Sequence, residues 1–84
     1  MTLSDRDLAF LAIEGEWRRH AGAKEEAVRA EFALTPARYY QLLGRLIDTP
    51  EALAHDPMLV RRLRRRRDDA AAQHRARLGR TAER

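Results

Sequence analysis

Residues 24–47 read KEEAVRAEFALTPARYYQLLGRLI and contain the strongest indication of how the chain folds. Apolar residues recur at helical spacing on both sides of a short break at residues 33–34. Thr35 followed by Pro36 is a strong helix start, because threonine caps the first turn and proline fits the first helical position. The stretch therefore predicts two short helices, at about 23–32 and 36–47, joined by a tight turn.

This layout is typical of a helix-turn-helix, in which the second helix enters the DNA major groove. The apolar positions of the motif are filled by Val28, Phe32, Leu34, Tyr39 and Leu42. Ala33 stands where glycine is usual, because this turn residue often needs a positive φ, and Arg29 stands where a small residue usually lets the helices approach. An ordinary three-helix bundle with a tight corner is the alternative interpretation.

A further helix precedes the motif. Ser4 is a favourable N-cap, and the first helix is predicted to run to about His20. We expect Gly22 to end that helix by adopting the left-handed cap conformation. The apolar face of this helix contains Leu3, Phe10, Ile13 and Trp17.

Two helices are predicted to follow the motif, because threonine or aspartate precedes proline at 49–50 and at 56–57. The first is short and ends near Ala54, and the second runs to about Leu78. Met58, Leu59 and Leu63 of the last helix are expected to pack on the domain. Residues 79–84 are expected to be a disordered tail. The fold class is all-α, a helix-turn-helix bundle of four to five helices in one domain over residues 1–78.

The composition of the 84-residue chain narrows the classes of function. Cysteine is absent, which removes disulfides and thiolate metal sites. His20, His55 and His74 lack the spacing of metal ligands, so neither a metal nor another cofactor is expected. No nucleophile set or phosphate loop is present, and we expect no enzymatic activity. Without a signal peptide or a long apolar run, a cytoplasmic protein is expected.

The charge of the chain is unevenly distributed. Residues 1–60 carry 7 basic and 10 acidic side chains, whereas residues 61–84 carry 10 basic and 3 acidic ones. Six arginines fall within seven positions at 61–67, RRLRRRR. Asp68 and Asp69 can pair with Arg64 and Arg65 on a solvated helix face, but two aspartates cannot balance six arginines. The asymmetry therefore favours a polyanionic partner.

Specific residues follow from this interpretation. Arg38 can pair bidentately with guanine, and Gln41, one turn later, with adenine. The residues predicted to contact bases are Ala37, Arg38, Gln41 and Arg45. The residues predicted to contact phosphates are Lys24, Thr35, Tyr40, Arg61, Arg62, Arg64, Arg65 and Arg66. For Tyr40, a half-buried aromatic side chain is an equally good interpretation.

Three segments, LSDRDLAFL, HAGAKEEAVRAEFALTPARYYQLLGRLID and PEALAHDPMLVRRLRRRRD, together carry a family resemblance. The chain resembles, over residues 3–68, a short actinobacterial family catalogued as a domain of unknown function, which includes a small nucleoid-associated DNA-binding protein. The resemblance implies a helix-turn-helix protein that binds short, frequent chromosomal sites. It does not supply contact residues.

The expected function is sequence-selective binding of double-stranded DNA by a nucleoid-associated or architectural regulator. A homodimer would double the contacts, through either the first or the last helix. A protein–protein adaptor docking on transcription machinery is one alternative, and nonspecific binding of nucleic acid, including RNA, is another. No membrane and no small-molecule substrate are expected as partners.

Overall fold

The computed structural model describes residues 2–16 and 21–82 of the chain, and this part contains five helices and no strand. The helices are α1 (Asp5–Glu16), α2 (Ala21–Phe32), α3 (Pro36–Ile47), α4 (Pro50–His55) and α5 (Pro57–Ala82). The all-α class is thus confirmed.

The predicted helix starts at Ser4, Thr35, Thr49 and Asp56 are also confirmed. Each of these side chains accepts a hydrogen bond from the backbone N–H three residues later, at 3.0–3.2 Å. Such a bond satisfies one of the donors that the first turn of a helix leaves without an intrahelical partner. Asp7 completes a reciprocal cap on α1, because its carboxylate accepts from the N–H of Ser4 at 3.1 Å.

Two predicted helix ends differ from the structure. Gly22 lies inside α2, and no glycine in the described ranges has a positive φ, so the left-handed cap predicted there is wrong. The last helix continues to Ala82, so residues 79–82, expected to be disordered, are helical. Trp17 and His20, together with residues 83–84, lie outside the part of the chain that the structure describes.

The core gathers side chains from all five helices. Its largest fully buried members are Phe10, Val28, Tyr39 and Val60. The ring of Phe10 makes edge contacts with Phe32 and Tyr39, at centroid distances of 5.0 and 4.8 Å. Such aromatic pairs add stability beyond the area that they bury. The core therefore joins α1 and α5 to the back of α3.

The predicted packing of α5 is confirmed for Leu59 and Leu63 but is wrong for Met58, which is 81% exposed. Met58 lies in the first turn, where the helix side facing the core is the one that carries Leu59, Val60 and Leu63. Further along the same helix, every residue from 68 to 79 is exposed. The second half of α5 thus extends beyond the packed body.

The turn between α2 and α3 keeps its left-handed residue although that residue is alanine. Ala33 has a φ of 55°, and it is the only non-glycine with a positive φ in the described ranges. Its N–H donates to the carbonyl of Arg29 at 2.9 Å, which is the single-bond form of the left-handed helix cap. Leu34 then packs against the core. The turn therefore keeps its left-handed conformation despite the steric cost of the alanine Cβ.

Candidate nucleic-acid interface

The side chains predicted to contact bases share the outer face of α3. Ala37, Arg38, Gln41 and Arg45 are all exposed, and their spacing of three, four and seven residues places them on one side of a helix. The opposite side packs into the core through Tyr39, Leu43, Leu46 and Ile47. The structure therefore brings the four predicted side chains together on a surface open to solvent.

Two of these side chains are bonded to each other. The Nη1 of Arg38 donates to the Oε1 of Gln41 at 2.7 Å. This bond uses one of five guanidinium N–H groups and the amide oxygen of Gln41. Pairing with adenine uses both the oxygen and the nitrogen of that amide, and the bond from Arg38 leaves the second lone pair of the oxygen and both N–H donors of Gln41 for a base.

The N-terminal end of α3 suits an anion. Thr35 is exposed and caps this end with its hydroxyl oxygen, which leaves the hydroxyl proton able to donate. The first turn of α3 contains no acidic residue. Pro36 has no N–H and the cap uses the N–H of Arg38, so the N–H of Ala37 and the positive end of the helix dipole are what favour negative charge there. The predicted phosphate contact at Thr35 is therefore compatible with the local geometry.

Lys24 is not available for the phosphate contact predicted for it. The residue is only 5% exposed, and its Nζ lies 3.3 Å from both carboxylate oxygens of Glu14. The same ammonium lies 4.9 Å from the ring centroid of Tyr40. Because the cation is buried, paired and stacked on an aromatic ring, the structure corrects this assignment. Tyr40 itself is 41% exposed, between the two interpretations that the sequence left open.

Glu14, Lys24 and Tyr39 form a buried polar triad that links α1, α2 and α3. The hydroxyl of Tyr39 donates to Oε2 of Glu14 at 2.5 Å. Burial, and then the bond to the negative Glu14, raise the pKa of the Tyr39 hydroxyl well above its usual value. This role of Glu14 was not predicted from the sequence. The only signal was its position one turn after Phe10, on the buried side of α1.

The arginine segment contains two residues that hold the end of α3. Arg64 donates from Nε to the carbonyl of Ile47 at 2.6 Å. Arg67 donates from Nη1 to both carboxylate oxygens of Asp48 at 2.9 Å, and lies 3.4 Å from the carbonyl of Gly44. Carbonyls of the last helical turn lack intrahelical partners, and cations there complement the helix dipole. Arg64, predicted to contact phosphate, thus binds the C-terminal end of α3 through its Nε.

The remaining arginines of the segment face solvent to different degrees. Arg61, Arg65 and Arg66 are exposed, whereas Arg62 is half-buried and its Nε has no hydrogen-bond partner within the described structure. Helical spacing places Arg61 and Arg65 on the side of α5 opposite Leu63. Asp68 bonds Arg67 at 3.2 Å rather than the predicted Arg64. The cations that stay accessible to phosphate are therefore Arg61, Arg65, Arg66 and in part Arg62.

Two other kinds of site, metal-ligand clusters and membrane-spanning helices, do not occur in the part of the chain that the structure describes. Residues 2–16 and 21–82 contain no cluster of three or more histidine, cysteine, aspartate or glutamate side chains placed to hold a metal ion. None of the helices in these ranges combines the length and apolar character needed to cross a membrane.

Comparison with known proteins yields one match. A family model described as "Protein of unknown function (DUF3263)" matches residues 2–81. Neither the curated proteins nor the solved structures contain a match to this chain.

Proposed function

The chain belongs to this family of proteins of unknown function, and we propose that it binds double-stranded DNA with sequence selectivity through a helix-turn-helix. In this proposal α3 enters the major groove and α2 packs behind it as the supporting helix. The turn at Ala33 sets the angle between the two helices. The protein would act in the cytoplasm as a nucleoid-associated or architectural regulator at short, frequent sites.

The outer face of α3 is the observation that carries the proposal. It presents two arginines, a glutamine and an alanine, and the single acidic residue near its end, Asp48, is held by Arg67. Arginine and glutamine are the side chains that read guanine and adenine edges bidentately. A helix that packs by one face and displays these groups on the other has the composition of a reading helix.

The exposed arginines of α5 supply the proposed backbone contacts. Arg61, Arg65 and Arg66 carry no ion pair within the described structure. A plot of log K against log salt concentration has a negative slope, and each phosphate that a cation neutralises makes it steeper by about 0.9. Three contacts would give a slope of about −3, which supports modest affinity at many sites. A homodimer would double this number.

Selection from a randomised duplex pool at about 150 mM salt tests the proposal, because nonspecific binding is weakened under that condition. The retained DNA is sequenced for the native protein and for Arg38→Ala. Arg6→Ala is the matched control, since it removes the same side chain and charge from α1, which carries none of the predicted DNA contacts. We expect a short enriched motif that Arg38→Ala relaxes at one position by about 1–3 kcal/mol and Arg6→Ala leaves unchanged.

The other outcomes separate the alternatives. Retention without enrichment contradicts sequence selectivity and supports nonspecific binding through the arginines. Equal retention of duplex RNA in a competition points to the shape of an RNA helix as the target. Absence of retention contradicts every hypothesis of nucleic-acid binding and leaves the hypothesis of a protein–protein adaptor.

A further inference from the structure

A groove of about 430 Å³ lies behind α3, between that helix and α5, with Glu14 and Lys24 at its inner end. Its apolar walls come from Leu43, Ile47 and Leu63, and Tyr40 closes one side. The outer edge carries Arg66 and Arg67. The groove therefore has apolar walls, the Glu14–Lys24 ion pair at its inner end and a cationic rim, and it is separate from the outer face of α3.

Gly44 opens this groove. It lines the space, its φ is not positive, and a Cβ placed on it would meet no other atom within 4 Å. The position thus needs glycine neither for backbone conformation nor to avoid a clash. A larger side chain at this position would occupy the groove instead.

The charges of the groove leave one cation unmatched. Lys24 is paired with Glu14, and Arg67 is held by Asp48 and Asp68. Arg66 is exposed, and no ion pair of it is present within the described structure. A ligand that complements the groove therefore has an apolar body and a single negative group at the end that reaches the rim.

We propose that this groove binds a small organic monoanion, whose apolar body packs on Leu43, Ile47 and Leu63 and whose carboxylate or sulfonate pairs with Arg66. The volume falls in the range of small-molecule sites, which are mostly apolar with a few polar groups that fix orientation. A groove of this volume spans only a few side chains, whereas a docked partner helix is read over several turns. Charge complementarity at Arg66 selects an anion over a neutral ligand.

Fluorescence titration with 8-anilinonaphthalene-1-sulfonate, and its displacement by decanoate, tests the proposal on the full chain without DNA. The result is thus independent of the proposed DNA binding. We expect saturable binding of one probe per chain. Gly44→Leu should raise the dissociation constant at least about tenfold, because leucine fills the space that the probe needs. Arg66→Gln should raise it about two- to fivefold, as expected for a solvent-exposed ion pair.

Matched controls make the result specific. Gly79→Leu adds the same side chain at a glycine that also has open space around it but lies outside the groove, and Arg65→Gln removes the same charge. Both should leave the dissociation constant within about twofold. Far-ultraviolet circular dichroism verifies that Gly44→Leu is folded, and the surface variant Arg66→Gln gives a second readout if it is not. Absence of saturable binding, or a constant that neither groove variant changes, would overturn the proposal.

Discussion

The hydroxyl of Tyr39 on α3 donates a hydrogen bond of 2.5 Å to the carboxylate of Glu14 on α1. The same carboxylate pairs with Lys24 on α2, and all three side chains are buried. A small domain buries little apolar surface, so its stability is sensitive to an uncompensated charge in its interior. Removing one member of the triad therefore leaves a buried charge with fewer compensating partners.

Tyr39→Phe should lower the free energy of unfolding by about 1–3 kcal/mol. The ring is kept, so the apolar contacts with Phe10 remain, and Glu14 loses one of its two compensating partners. Tyr40→Phe, which removes a hydroxyl from the exposed neighbouring ring, should have an effect of less than about 0.5 kcal/mol. Urea denaturation measures both. Equal effects would contradict a stabilising role for the bond to Glu14.

Stability should also fall at high pH through Tyr39. Burial and the bond to Glu14 raise the pKa of this hydroxyl above its usual value of about 10 in the folded state, so above about pH 10 the unfolded chain loses a proton that the folded protein keeps. The unfolded state is then favoured, by up to about 1.4 kcal/mol per pH unit, and the contribution of Tyr39 is fully present only below that pH. Comparison of the native protein with Tyr39→Phe from pH 9 to 11 isolates the contribution of this hydroxyl, because the free energy of unfolding of the variant should decline less steeply with pH.

Ala33→Gly should stabilise the protein by roughly 1 kcal/mol. Ala33 has a φ of 55°, where a Cβ is strained and glycine is not. Ala30→Gly is the control, because Ala30 is exposed inside α2 and glycine should destabilise the helix there by about 1 kcal/mol. The two substitutions are chemically identical and should shift the melting temperature in opposite directions. A destabilising Ala33→Gly would mean that chain entropy outweighs the strain.

Arg64 and Arg65 are neighbours with different expected roles. Arg64→Ala removes the bond to the carbonyl of Ile47 and should lower the free energy of unfolding by about 1–2 kcal/mol. Arg65→Ala should change it by less than about 0.5 kcal/mol. On DNA, Arg65→Ala should reduce the salt slope by about 0.9, whereas Arg64→Ala should leave it unchanged. Urea denaturation measures the stability of the two variants, and titration of DNA binding with salt measures their slopes. The opposite pattern would assign the phosphate contact to Arg64 and the structural bond to Arg65.

The helix boundaries that depend on local signals could be predicted from the sequence. The starts at Thr35, Thr49 and Asp56 were predictable because cap and proline act within three residues. Gly22 misled for a related reason, since glycine permits a left-handed cap but does not require one. Such local signals indicate where a helix can begin or end, and tertiary packing determines which of these positions are used.

The partners of charged side chains could not be predicted in the same way. Glutamate and lysine are usually exposed, and only the packing of α1 against α2 makes Glu14 and Lys24 a buried pair. Arg64 resembles its neighbours in sequence, but its position on α5 alone meets the carbonyl of Ile47. These contacts join residues 10, 17 and 25 positions apart, a range over which periodicity carries no information.

The exposed second half of α5 has a thermodynamic consequence. Residues 68–79 are all exposed, so their helicity depends mainly on local helix–coil equilibrium rather than on cooperative packing. Ellipticity at 222 nm should therefore decline steadily with temperature before the body melts, and a chain ending at residue 68 should show a flatter baseline with the same midpoint. Heat applied below the main transition would therefore unwind the second half of α5 while the packed body stays folded.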